Sequence, residues 1–202
     1  MSTITKVALE ERLRNTNPVE RLVITPMLTV EQVGGASIDV RLGNQFILFH
    51  THTFGAFDKK ELTGRLRAAQ ERFIVPYGGS FVLHPGMLVL AATLEYFSLP
   101  YNLECQIEGR SSWARVGLQI ATASTVEPLF KGVVTLELSN VGTIPLRLHP
   151  GIRIAQAVFH DAVPSVSCVE ARKRKYHGAI GPEFSKVHED KDIEIFSQTL
   201  SR

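Results

Sequence analysis

Apolar and polar positions along the chain predict one helix near the start and strands almost everywhere after it. Ile4, Val7 and Ala8 fall at helical spacing, and Leu9 and Leu13 form a further pair four apart with charges between. This predicts a short amphipathic helix over residues 4–14 with Thr3 as its N-cap. From Ser37 the period becomes two: Ile38, Val40 and Leu42 alternate with polar partners. Gly43-Asn44 then offers turn chemistry before a second strand, Gln45–Phe49. Further strands are predicted at 73–75, 80–83, 87–94, 104–108, 133–138, 146–148 and 152–159. Turn signals separate them, among them Pro85-Gly86, Asn140-Val141-Gly142 and Pro150-Gly151. Residues 60–72 read as a second helix or helical loop. Many short strands with few helices point to a β-barrel or sandwich. The pattern breaks at Ala171, where Arg172, Lys173, Arg174 and Lys175 crowd together ahead of glycines and acidic residues. The chain therefore divides into a domain of residues 1–170 and a mobile tail of residues 171–202.

Composition narrows the function classes. The 202 residues, 44% hydrophobic and 21% charged, suit one well-buried soluble domain. A net charge of +2 gives no ground for nucleic-acid or membrane binding. Cys105 and Cys168 are too few and too far apart for a disulfide framework or a four-ligand zinc site, and read as reduced thiols. With no run of about 18 apolar residues and no apolar signal segment at the start, a cytoplasmic location is expected.

Three stretches carry candidate chemistry. In Glu108–Arg115, Gly109 permits a tight exit from a strand, and Ser111 or Ser112 would cap a short helix. Unpaired N–H groups, two hydroxyls and Arg110 would suit phosphate, and Ser111 and Arg115 share a face four residues apart. A plain capped helix with solvated arginines would look the same. In Val133–Asn140, Glu137 shares a face with Val133, Thr135 and Ser139 on an otherwise apolar strand. Burial would raise its pKa towards proton-transfer duty; a salt-bridged structural glutamate is the alternative. Gln156, in an apolar strand, offers an amide donor and acceptor to a ligand, or else faces solvent. His50-Thr51-His52 could put two imidazoles on one face, but no further ligand clusters with them, so no metal site is assigned. The zinc nucleobase deaminase signature is also absent, which argues against a zinc-activated water.

Together these stretches resemble a known family. GGASIDVRLGNQF (34–46), LHPGMLVLAATLEYFSLP (83–100), EGRSSWARVGL (108–118), GVVTLELSNVGTIPLRLHPG (132–151) and KYHGAIGP (175–182) are similar, in order, to blocks of the dCTP deaminases. This family belongs to the dUTPase/dCTP deaminase superfamily. The resemblance implies an all-β, distorted jelly-roll-like barrel, a homotrimer with active sites shared between subunits, and dCTP as substrate with Mg2+ on its triphosphate. It makes dTTP and dUTP further candidate ligands. It implies that Arg110, Ser111 and Ser112 hold phosphates and that Arg115 reaches a neighbouring subunit's pocket. Glu137 falls on the catalytic glutamate, assisted by Ser111 and Arg115. Gln156 matches a nucleotide-contacting glutamine, Thr135 lies on the glutamate's face, and Lys175 matches a lysine closing over the triphosphate.

The chain also departs from that pattern. The loop between Leu118 and Pro128 is one residue short, with Ser124 and Thr125 in place of a histidine-arginine pair. Glu127 stands where the family has an aspartate that binds the sugar 3′-hydroxyl, and Ala179 where many members have glutamine. The expected reaction is zinc-independent deamination of dCTP to dUTP. The alternatives are a bifunctional enzyme giving dUMP, favoured by RIAQ at 153–156, which is similar to a dUTPase motif, and a nucleotide sensor of the same fold with weak turnover.

Overall fold

Alternating burial along the strands builds one curled antiparallel sheet around an aliphatic core. The computed structural model describes residues 2–50, 69–121, 125–163 and 173–192, with single positions 195 and 199 beyond. The strands are β1 (Val23–Thr25), β2 (Ser37–Phe49), β3 (Gln70–Ile74), β4 (Phe81–Leu83), β5 (Leu88–Ser98) and β6 (Leu103–Gly109). They continue as β7 (Leu118–Ile120), β8 (Thr125–Val126), β9 (Lys131–Asn140), β10 (Leu146–Leu148) and β11 (Arg153–Asp161). The main sheet runs β7-β9-β5-β2-β11-β6-β8, with β1 added to β5 and β3 to β2; β10 and β4 pair separately. This is the all-β architecture that the strand pattern predicts and the jelly-roll-like form that the family resemblance implies, with β1, β7 and β8 in addition to the expected strands.

Residues 37–49 form one strand, not two strands joined by a turn. Gly43 and Asn44 sit in an irregularity where the pairing of β2 with β5 shifts register between Leu42 and Phe46. A Cβ at Gly43 would lie 2.9 Å from the Ala92 carbonyl oxygen, so glycine is needed for the approach of the two backbones rather than for a reversal. A second irregularity, between Ala92 and Tyr96 of β5, faces β9. Thr93 stitches it: its hydroxyl donates to the Glu95 carbonyl at 2.7 Å and accepts the Val134 N–H at 3.0 Å. Bulges of this kind bend strands, and here they let the two long strands curl round the core. Phe46, fully buried, stacks on Phe73 and Phe81 with centroids 5.5 and 5.1 Å away.

The helical expectations are partly corrected. Helix α1 (Lys6–Arg14) starts after Thr5, which makes no side-chain cap, and Thr3 bridges to His160 instead. Leu9 is buried and Leu13 packs on the core, whereas Val7 is 69% exposed and lies off the buried face. Arg12 ties the helix to the barrel through Asp161 at 3.2 Å and Asn102 at 3.1 Å. Of the second expected helix, 60–68 lies outside the described residues, and Gln70–Arg72 belongs to β3, paired with β2. Cross-strand pairing overrides local helical composition there. Cys105 is a buried free thiol whose pKa burial pushes up; Cys168 lies outside the described residues. Among the described residues no helix is long and apolar enough to cross a membrane.

Candidate active site

Strand β9 brings the mid-strand glutamate to a cavity. Leu136 and Leu138 are fully buried on one face of the strand, which places Thr135 and Glu137 on the other. That face lines a cavity of about 460 Å³, with Leu90, Val126, Phe130 and Val134 as apolar wall and Glu127, Thr135, Glu137 and Glu183 as polar lining. The size suits a nucleotide-scale ligand. One carboxylate oxygen of Glu137, Oε2, is buried with no hydrogen-bond partner among the described residues. Burial pushes the carboxyl's pKa up from its ordinary value. A buried acid left unsatisfied in a cavity costs stability, which argues for a function rather than a structural pair.

The tail covers this cavity. Arg174, Lys175, Tyr176, His177, Glu183 and Ser185 all line it. Ala179 bridges to Gly132 beside the first residues of β9, with the Val133 N–H donating to the Ala179 carbonyl at 2.9 Å. Gly132 has φ +145°, and a Cβ there would lie 2.9 Å from the Ala179 nitrogen, so only glycine admits the tail at this point. The Thr135 hydroxyl accepts the Glu183 N–H at 3.1 Å. Lys175 pairs with Asp190, whose hydrogen bond and charge raise the lysine's pKa, and donates to the Lys186 carbonyl at 3.3 Å. Glu127 pairs with Arg174 at 2.7 Å.

The remaining expected residues stand elsewhere on the chain. Helix α2 (Ser111–Ala114) begins after Arg110, which is extended; neither Ser111 nor Ser112 caps it. Gly109 has no positive φ, and a Cβ there would meet Ile120 side-chain carbons at 3.8 Å, an ordinary contact, so the strand's exit does not require glycine. Ser111, Ser112 and Arg115 are exposed, and the Arg115 N–H donates to the Ser111 carbonyl at 3.1 Å, which keeps the two close. Arg110 is not solvated: its guanidinium donates to Asp39 at 2.8 Å, while Arg153 holds the other Asp39 oxygen at 3.0 Å. Gln156 lies opposite Asp39 and Glu108 in the sheet and accepts the Ser37 hydroxyl at 3.4 Å. None of Arg110, Ser111, Ser112, Arg115 and Gln156 lines the Glu137 cavity. Thus one chain assembles Glu137, Thr135, Glu127 and Lys175, and keeps the α2 group apart from them.

Sequence reading missed two participants. Arg174 was visible only as part of a basic cluster, and Glu183 carried no signal, because their contacts depend on where the tail lies. Of the histidine pair, His50 pairs with Glu71 at 3.1 Å, and His52 lies outside the described residues.

Comparison with known proteins shows the family. The chain is 40% identical over 177 residues to a dCTP deaminase of Pectobacterium atrosepticum, covering 82% of this chain and 92% of that one. It is 39% identical over 177 residues to a dCTP deaminase, dUMP-forming, of Methanosphaera stadtmanae, covering 86% and 89%. In fold it is similar to the crystal structure of 2′-deoxycytidine 5′-triphosphate deaminase from Agrobacterium tumefaciens, with a TM-score of 0.58 and 20% identity. That match covers 78% of this chain and 47% of the other, so the chain spans about half the length of that protein. A family model described as dCTP deaminase-like matches residues 7–162, and with these relatives it shows that the chain belongs to the dCTP deaminase-like family.

Proposed function

We propose that the protein hydrolyses dCTP to dUTP and ammonia in the cytoplasmic nucleotide pool, with Glu137 as general base and acid. The observation that carries this reading is the buried Oε2 of Glu137, without a partner among the described residues, in a cavity of a chain from this family. A water oxygen adds to C4 of the cytosine as Glu137 takes its proton. The C4–N bond then breaks, and the carboxyl returns the proton to the departing amine as ammonia. Burial raises the pKa of this carboxyl above its ordinary value, so it holds a proton more readily than an exposed carboxylate, which suits the return of the proton to the amine.

A second copy completes the site. Ser111 on α2 and Arg115 at its C-terminal end stand exposed, as do the apolar side chains Val116, Val141 and Ile144, a surface suited to burial against another chain. In a homotrimer with shared sites, these two residues would enter a neighbour's cavity, fix the water and offset charge in the tetrahedral intermediate. Arg110, Ser112 and Gln156 would hold the nucleotide from the same side, while Lys175 and Thr135 bind it from the cavity's own chain. Lys175 then exchanges Asp190 for phosphate. Among the described residues no group of three His, Cys, Asp or Glu stands together to hold a metal. As the family resemblance implies, Mg2+ would arrive on the triphosphate, where it would screen the phosphate charge.

Incubation with dCTP and Mg2+, with products separated by anion exchange, tests the reading. It requires dUTP and ammonia. A second reading, release of dUMP and pyrophosphate, draws on the dUMP-forming relative and on Glu127, a second carboxylate in the same cavity. Absence of both products would overturn the enzyme reading. Lys175→Ala should weaken dCTP binding about tenfold and deoxycytidine binding little, since one charge contact to phosphate is lost; equal loss for both ligands would remove its phosphate role.

A further inference from the structure

The cavity contains three carboxylates, Glu127, Glu137 and Glu183, yet its proposed ligand is a polyanion. Two of the three are answered by cations of the tail. Lys186 lies 3.4 Å from Glu183, and Arg174 lies 2.7 Å from Glu127. Arg174 makes a second contact that a simple ion pair lacks: its Nη1 donates to the Pro128 carbonyl at 2.9 Å. The guanidinium thus grips the turn 127–130 at two points, through Nε and Nη1.

That turn is an unusual piece of backbone. Leu129 has φ +66°, the one non-glycine residue at positive φ among the described residues. The turn is held from inside by the Phe130 N–H to the Glu127 carbonyl at 3.1 Å and by the Leu99 N–H to the Phe130 carbonyl at 2.9 Å. It presents both Glu127 and Phe130 to the cavity. Arg174 joins it to the tail, whose next anchors are the Gly178 N–H on the Lys131 carbonyl and the Ala179 bridge to Gly132.

We propose that Arg174 is a positioning residue and a determinant of nucleotide affinity: by clasping Glu127 and Pro128 it fastens the tail across the cavity, sets the strained turn, and neutralises a carboxylate that would otherwise repel the phosphates. The inference rests on the nucleotide reading above and adds to it a residue that acts through Glu127 and the turn. Its length matters as well: Glu127 reaches the guanidinium from the turn, so the two residues act as one unit.

The test is a pair of measurements on the full chain. Kinetics with dCTP should show Arg174→Ala raising KM about tenfold with kcat changed less than about twofold, the signature of lost binding without lost chemistry. In a Glu127→Gln background the same substitution should add less than about twofold, because the partner is already gone. Arg174→Lys, which restores the charge but not the two-point grip, should recover only part of the KM. Hydrogen exchange of the ligand-free chain should show the Gly178 and Val133 amides losing protection about tenfold in Arg174→Ala, while the amides of β11 keep theirs. An equal KM effect in both backgrounds, or unchanged exchange at Gly178 and Val133, would overturn the proposal. A wild-type chain inactive on dCTP would sink the deaminase reading alone, since the exchange measurement needs no substrate.

Discussion

Two glutamates on adjacent strands of this barrel, one buried and one half-buried, differ in their partners. Glu95 lies in the irregular stretch of β5 and is wholly buried. Its Oε1 accepts from Gln32 at 2.9 Å and faces the Arg41 guanidinium at 3.5 Å, and its Oε2 accepts the Arg41 N–H at 2.8 Å. Glu137 lies on β9, half-buried, with Oε2 bonded to nothing among the described residues. Burial raises the pKa of both. A raised pKa therefore does not separate a structural acid from a reactive one. What distinguishes the two is the count of partners: Glu95 has donors on both of its oxygens and would lose them by moving, while Glu137 has one oxygen with no partner among the described residues.

The comparison can be broken most sharply through activity. Glu137→Gln should lower dCTP turnover about 10²–10⁴-fold while nucleotide binding survives, as expected for loss of a positioned proton carrier; a rate measurement beside a binding titration checks it. Normal turnover in that variant, with loss in Ser111→Ala, would remove Glu137 from the chemistry. The structural acid should respond through stability instead. Arg41→Met leaves Glu95 buried without its cation and should cost about 3–5 kcal/mol in urea unfolding. A loss below about 1 kcal/mol would mean that Gln32 and the backbone suffice to hold the charge.

The smallest effect concerns pH. The folded pKa of Glu137 lies above its unfolded value, so the native state binds this proton more tightly. The resulting stability is complete below the unfolded value and is lost as pH rises through the folded one. Glu137→Gln carries no such titration. Its stability relative to the wild type should therefore grow as pH rises from below the carboxyl's unfolded value through its folded one, as read from urea midpoints. A difference that stays flat with pH would show that Glu137 is better solvated or paired than its unbonded oxygen implies.

Much of the barrel was legible in the chain because strand burial writes itself as period two. β9 is the clearest case: Leu136, Glu137 and Leu138 announce a strand and an out-of-place acid together. The Gly43-Asn44 pair misled, because a glycine required by close backbone approach has the same local signature as one required by a turn. Residues 70–72 misled for a related reason, since their composition favours helix but their partner strand β2 decides otherwise. The short strands β1, β7 and β8 hold two or three residues each, too few to show any period.

By itself the sequence determined the strand-rich architecture, the family, and the acid at position 137. These follow from local alternation and from motifs contiguous in the chain. Only the tertiary structure decided that Arg110 is held by Asp39, that the Ser111 and Arg115 group stands apart from the Glu137 cavity within one chain, and that Arg174 clasps Glu127. Those contacts join residues 47 to 71 positions apart through side chains alone. Partner choice at that range is set by how the sheet curls and where the tail lies, and no local pattern of apolar and polar residues encodes it.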